Sequence, residues 1–195
     1  MRVAIYGGSF SPIHKGHIAL ARQVIRENLA DEVWLMVSPH NPLKSANDLW
    51  PVDLRLKLCE KAIEGQDGIK VSDLETRLET PSYTYKTLRV LTRLHPKIQF
   101  SILIGSDNWT CFSRWANHEE ILAHHSLIIY PRKGFRIDAN LLTPRQHVIN
   151  APLLPYSSTE IRHMLKAGQP VDHMLPPGVA EMIAASRYDE KPAAT

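Results

Sequence analysis

The 195-residue sequence predicts an α/β fold, one doubly wound parallel sheet (Rossmann-like) with a small helical C-terminal piece. Three observations carry this expectation. Short, continuous apolar runs alternate with amphipathic helical patterns from end to end. The first 37 residues read strand, helix, strand, and a fully apolar strand on each side of an amphipathic helix marks a right-handed parallel crossover. Two of the apolar runs stop at glycines, Gly7-Gly8 and Gly105, and in such sheets ligands bind beyond the carboxyl ends of the strands.

Arg2–Tyr6 is the first strand, broken at Gly7-Gly8. A helix follows over Gly16–Leu29, with Ile18, Ala21, Val24, Ile25 and Leu29 on one face. Val33–Val37 is the second strand, and the Pro-, Asn- and Ser-rich stretch Ser38–Asn47 is a loop. Pro51 suits the first turn of a helix over Pro51–Glu64. Ile69–Ser72 is a short strand, Leu74–Pro81 a polar connection and Tyr83–Leu94 a helix. Ile98–Ile104 is a strongly apolar strand that ends at Gly105-Ser106-Asp107. Then come a short helix at His118–Ala123, a strand at Ser126–Tyr130, a last short strand at Val148-Ile149, and helices at Ser157–Lys166 and Val179–Ala185. No repeat or linker divides the chain, so residues 1–195 read as one domain, with a frayed, disordered tail at 190–195.

Composition bounds the function. A hydrophobic content of 44% supplies a core without disulfides or metals, and a net charge of +3 suits an anionic ligand without demanding one. No basic run interleaved with aromatics appears, so nucleic acid is not an expected partner. Cys59 and Cys111 have neither metal-ligand nor redox spacing. The start of the chain does not read as a signal peptide, and no apolar run approaches membrane-spanning length; the expected compartment is the cytoplasm, with no membrane partner.

Strand, glycine turn and helix in succession form the layout of a phosphate site. Gly7 and Gly8 let a phosphate approach the backbone, although Gly-Gly after a strand is also an ordinary tight turn. His14 and His17, three residues apart at the helix start, can face one ligand and donate to phosphate oxygens. A metal reading needs further ligands, and none stands close in sequence, so no metal ligand is assigned. Lys44 lies in the loop after the second strand, where a flexible ammonium can reach distal phosphates. Ser157-Ser158-Thr159-Glu160-Ile161-Arg162 fits a helix cap, and its three hydroxyls and arginine also make an anion cradle.

Together the two stretches resemble the nucleotidylyltransferases with a His-x-x-His signature. Gly8 to His17 is similar to the first motif of that family, with Ser11 where an acid or amide usually precedes the proline, and Ser157–Arg162 is similar to the second. Among these the chain looks most like the bacterial nicotinate-nucleotide adenylyltransferases. Ser82-Tyr83-Thr84, Ile104-Gly105-Ser106-Asp107, Trp115 and Arg132 match their motifs, Asn41-Pro42-Leu43-Lys44 matches in part, and Ala116 stands where a large residue is usual. The resemblance implies the Rossmann-like nucleotidyltransferase fold and transfer of the adenylyl group of ATP to nicotinate mononucleotide, releasing pyrophosphate, in the biosynthesis of NAD. It implies roles as well. His14, His17, Lys44 and Arg162 hold the triphosphate. Gly7, Gly8, Ser9 and Phe10 line the ATP site, Gly105 and Asp107 contact the adenosine side, and Ser157, Ser158 and Thr159 supply the helix-start site. Thr84, Trp115 and Arg132 hold the mononucleotide. Mg²⁺ is expected on the ATP phosphates. Homo-oligomerisation is left open. Pantetheine-phosphate adenylyltransferase and a non-catalytic nucleotide sensor are the rival readings.

Overall fold

Val3–Tyr6 alternates its side chains across a buried strand: Val3 and Ile5 enter one hydrophobic cluster, Ala4 and Tyr6 another. That alternation sets the architecture, because a strand buried on both faces needs helices on both. The structure is a computed structural model that describes residues 1–39, 49–138, 140, 142–152 and 155–186. Lys44 and the tail at 190–195 lie outside the described residues.

Six strands, β1 (Arg2–Gly8), β2 (Glu32–Val37), β3 (Ile69–Ser72), β4 (Gln99–Gly105), β5 (Ser126–Tyr130) and β6 (Gln146–Val148), form one sheet in the order β3-β2-β1-β4-β5-β6. Every pairing is parallel. Helices α1 (Lys15–Arg26), α2 (Val52–Ala62), α6 (Ser158–Lys166) and α7 (Val179–Ser186) cover the face that carries Ala4, Tyr6, Leu35 and Ile128. Helices α3 (Thr84–Leu94), α4 (Ser106–Thr110) and α5 (His118–His124) cover the face of Val3, Ile5, Ile102 and Ile129. This is the doubly wound sheet with helical C-terminal pieces that the alternation of patterns predicts. None of the described helices is long and apolar enough to cross a membrane.

The differences from the sequence reading have local causes. β1 runs through Gly8 instead of breaking at Gly7, since Gly7 and Gly8 still pair with Met36 and Val37, and a ladder uses backbone groups only. α1 ends at Arg26, not Leu29, because Asn28 adopts φ 54° and the Leu29 N–H turns back to the Val24 carbonyl. The connection after β3 contains a 3-10 turn, Leu74–Arg77. α4 and a further 3-10 turn, Phe112–Arg114, lie in a stretch too short for periodicity to reveal.

One topological fact creates the site. β1 stays paired with β2 as far as Gly8↔Val37, and β4 with β5 as far as Gly105↔Tyr130. Yet β1 and β4 pair only from Arg2↔Gln99 to Ile5↔Ile102. Their carboxyl ends splay apart at the point where the strand order reverses, and a cleft opens there.

Candidate active site

The chain leaves β1 at Gly8 and folds back over its own end. A Cβ on Gly8 would meet the Phe10 ring at 2.9 Å, so only glycine lets Phe10 tuck in, and Phe10 itself holds φ 45°. Its buried ring packs edge-on against His17 at 5.0 Å and Tyr6 at 5.6 Å between centroids. His14 caps α1 from an extended conformation, and its N–H donates to His17 Nδ1 at 3.2 Å. With Nδ1 accepting that bond, the neutral tautomer of His17 carries its proton on Nε2. The two imidazoles stack with centroids 3.7 Å apart.

His14 is buried, and its Nδ1 has no hydrogen-bond partner among the described residues. Burial, with a smaller contribution from the Arg132 guanidinium, lowers its pKa to about 4. In the free protein His14 is thus neutral at pH 7. A polyphosphate arriving beside it would favour its protonation.

The second motif is docked directly on the first. Ser157 accepts from the Glu160 N–H at 3.1 Å as the N-cap of α6, as the capping pattern predicts. The Ser158 hydroxyl donates to the Pro12 carbonyl at 2.9 Å, and Arg162 donates through Nη1 to the Ser11 carbonyl at 2.8 Å. Thr159 stands exposed at the rim, 3.4 Å from Arg162 Nη2. Sequence positions more than a hundred apart thereby form one wall, with Ser9 buried in the loop between them and its hydroxyl unpartnered among the described residues.

Two cavities flank this loop. One is lined by Tyr6, His14, His17, Tyr130, Arg132 and Tyr156. The other, of about 220 Å³, is lined by Gly7, Gly8, Glu75, Ser82, Thr84 and Trp115, among others. Thr84 and Trp115, 31 positions apart, are thus brought to one pocket. Arg132 is placed in the other one, beside the two histidines, and not with Thr84 and Trp115. It spans the cleft mouth: its N–H bonds the Ser106 hydroxyl at 2.9 Å, and its Nε lies 3.7 Å from Asp107 Oδ1. Gly105 makes that approach possible, since a Cβ there would sit 2.2 Å from Asp107 Oδ1 and 3.2 Å from Arg132 Cγ.

Sequence reasoning missed three contributors. Arg55 on α2 is fully buried and donates to the carbonyls of Ser9, Ser38, Trp50 and Pro39 at 2.7, 2.7, 2.8 and 3.2 Å. It ties the phosphate loop to the end of β2. An arginine three residues before Leu58, on the inward face of an amphipathic helix, was the available signal. Glu75 is buried in the Leu74–Arg77 turn, in a stretch read only as polar connection. Ser11 receives the Trp50 N–H at 3.0 Å and so fastens the loop from the other side.

Residues 5–164 match the cytidylyltransferase-like family. A Bacteroides fragilis protein named "Probable nicotinate-nucleotide adenylyltransferase" is 45% identical over 182 residues, covering 93% of this chain and 90% of its own length. A protein of the same name from Bacteroides thetaiotaomicron is 43% identical, covering 94% and 91%. The solved Plasmodium falciparum nicotinic acid mononucleotide adenylyltransferase complexed with NaAD superposes with a TM-score of 0.83 at 26% identity, covering 99% of both chains. The chain that folds into this glycine-edged cleft, with its two motifs docked on each other, belongs to the nicotinate-nucleotide adenylyltransferases of the cytidylyltransferase-like family.

Proposed function

We propose that the chain joins ATP to nicotinate mononucleotide, giving nicotinate adenine dinucleotide and pyrophosphate in NAD biosynthesis. The observation that carries this is the pair of cavities at the carboxyl end of β1, one edged by histidines and arginine, the other by Thr84 and Trp115. A phosphate oxygen of the mononucleotide attacks the α-phosphorus of ATP, that bond forms, and the bond to the bridging oxygen of pyrophosphate breaks. The attacking phosphate is already ionised, so no protein nucleophile is required. The work left to the protein is alignment of two anions and stabilisation of their charge.

In this reading His14, His17, Lys44 and Arg162 hold the triphosphate. Gly7, Gly8, Ser9 and Phe10 line its path, and Ser157–Thr159 offer the start of α6. Gly105 and Asp107 lie toward the adenosine. Thr84 and Trp115 hold the pyridine ring, and Arg132, beside the histidines, faces the phosphate that joins the two halves. α3 begins at Thr84 with no side-chain cap, and its open first-turn amides suit the ring carboxylate.

Mg²⁺ enters as part of the ATP complex, held by phosphate oxygens and water. Among the described residues no group of three His, Cys, Asp or Glu side chains is gathered to hold a metal. Cys59 and Cys111 are free thiols, in keeping with a cytoplasmic setting where ATP is supplied.

Pyrophosphate release with ATP, Mg²⁺ and each candidate acceptor tests the proposal. Release with nicotinate mononucleotide and none with phosphopantetheine is expected. The reverse pattern, or ATP binding without release, overturns it.

A further inference from the structure

We propose that Glu75 is the counter-charge for the pyridinium ring of the acceptor, so that the pocket selects a cationic ring over a neutral one. This rests on the acceptor reading above. Glu75 is 8% exposed and lines the cavity shared with Ser82, Thr84, Thr87 and Trp115. The Thr87 hydroxyl donates to its Oε1 at 2.9 Å, and the Ser38 hydroxyl also hydrogen-bonds the carboxyl. Both hydroxyls can donate to a carboxylate oxygen, as an ionised Glu75 would require.

Among the described residues no Lys, Arg or His forms an ion pair with Glu75. Arg77 of the same turn is ion-paired with Asp73 instead. Among the described residues the other charged one lining the cavity is Arg114, which is exposed. A buried carboxylate without a cation is costly, and burial here pushes the Glu75 pKa up. A ligand bearing a fixed positive charge removes that cost. Nicotinate mononucleotide bears one, because its ring nitrogen is quaternised by the bond to ribose. Trp115, in the same cavity, adds an aromatic surface of the kind that attracts cations.

The reading differs from a purely mechanical role, in which Glu75 only fastens the Leu74–Arg77 turn to α3 through Thr87. Glu75→Gln separates the two, since the amide keeps the size and the acceptor for Thr87 but loses the charge. The experiment measures dissociation constants of nicotinate mononucleotide and of its neutral 1,4-dihydropyridine form, in wild type and Glu75→Gln, with KM for ATP as the control. The wild type is expected to prefer the cationic ring by about tenfold or more. Glu75→Gln is expected to lose most of that preference through weaker binding of the cationic form alone, with KM for ATP unchanged.

Equal weakening of both forms, or no change in either, overturns the proposal. So does a wild type that binds the two forms equally, a result that needs no variant to fold. The wild-type turnover assay keeps the underlying reading separate: no pyrophosphate from nicotinate mononucleotide defeats the acceptor assignment itself, whatever Glu75 does.

Discussion

His17 lines the cleft with Nδ1 accepting from the His14 N–H, which fixes the plane of its ring. In the proposed reaction a ring held in that way would act where charge builds on the phosphates. His17→Ala is therefore expected to lower kcat by about 10²–10³ with KM for ATP little changed, as for loss of one preorganised donor; steady-state kinetics of pyrophosphate release check it, and normal turnover would remove His17 from the chemistry. His14 allows a test without substrate. Its imidazole sits at about 4 in the folded chain against about 6.5 when unfolded. Between those values the unfolded state binds more protons, so stability is lost as pH falls through that window. The wild type is expected to lose about 3 kcal/mol more than His14→Gln between pH 7 and pH 4 in urea unfolding. Parallel pH profiles for the two proteins would show that the pKa of His14 is not lowered on folding.

Elements matter here through what they tether. α2 is set in place by leucines and Cys59 in the core, yet its Arg55 reaches four carbonyls on three segments. Replacing it with Met leaves those acceptors buried without donors, at a cost of about 3 kcal/mol or more. A lowered urea midpoint for Arg55→Met, with a raised KM for ATP, is the expected result; unchanged stability would mean the loop holds itself. α6 is fastened through Ser158 and Arg162 to the carbonyls of Pro12 and Ser11. Ser158 was legible in the sequence as a hydroxyl near a helix start, but its partner was not. The hydrogen bond joins positions 146 apart, and no local pattern reports such a contact.

Over the whole molecule, the separation of β1 from β4 beyond Ile5↔Ile102 divides the sheet edge into two walls. Nicotinate adenine dinucleotide should bridge them, since in the reading above its pyridine half sits with Thr84 and Trp115 and its phosphates with the histidines and Arg132. At a hundredfold excess over its dissociation constant it is expected to raise the unfolding free energy by about 2.7 kcal/mol. A rise in urea midpoint at constant slope checks this, and an unmoved midpoint counts against a bridging ligand.

The sequence by itself determined the sheet and named most of the candidate site residues. Apolar strands and amphipathic helices differ in period, so their alternation is visible residue by residue, and it was enough for six parallel strands. The glycine edges, His14, His17 and the Ser157–Arg162 start of α6 were legible because phosphate chemistry demands particular residue types at short spacing. Only the tertiary structure decided which of these meet. It put Arg132 with the histidines and apart from Thr84 and Trp115, neutralised His14 by burial, and brought Glu75 and Arg55 into play from stretches that carry no motif. The physical reason is that burial, desolvation and long-range hydrogen bonds belong to the packed chain. Neither spacing nor residue type contains them.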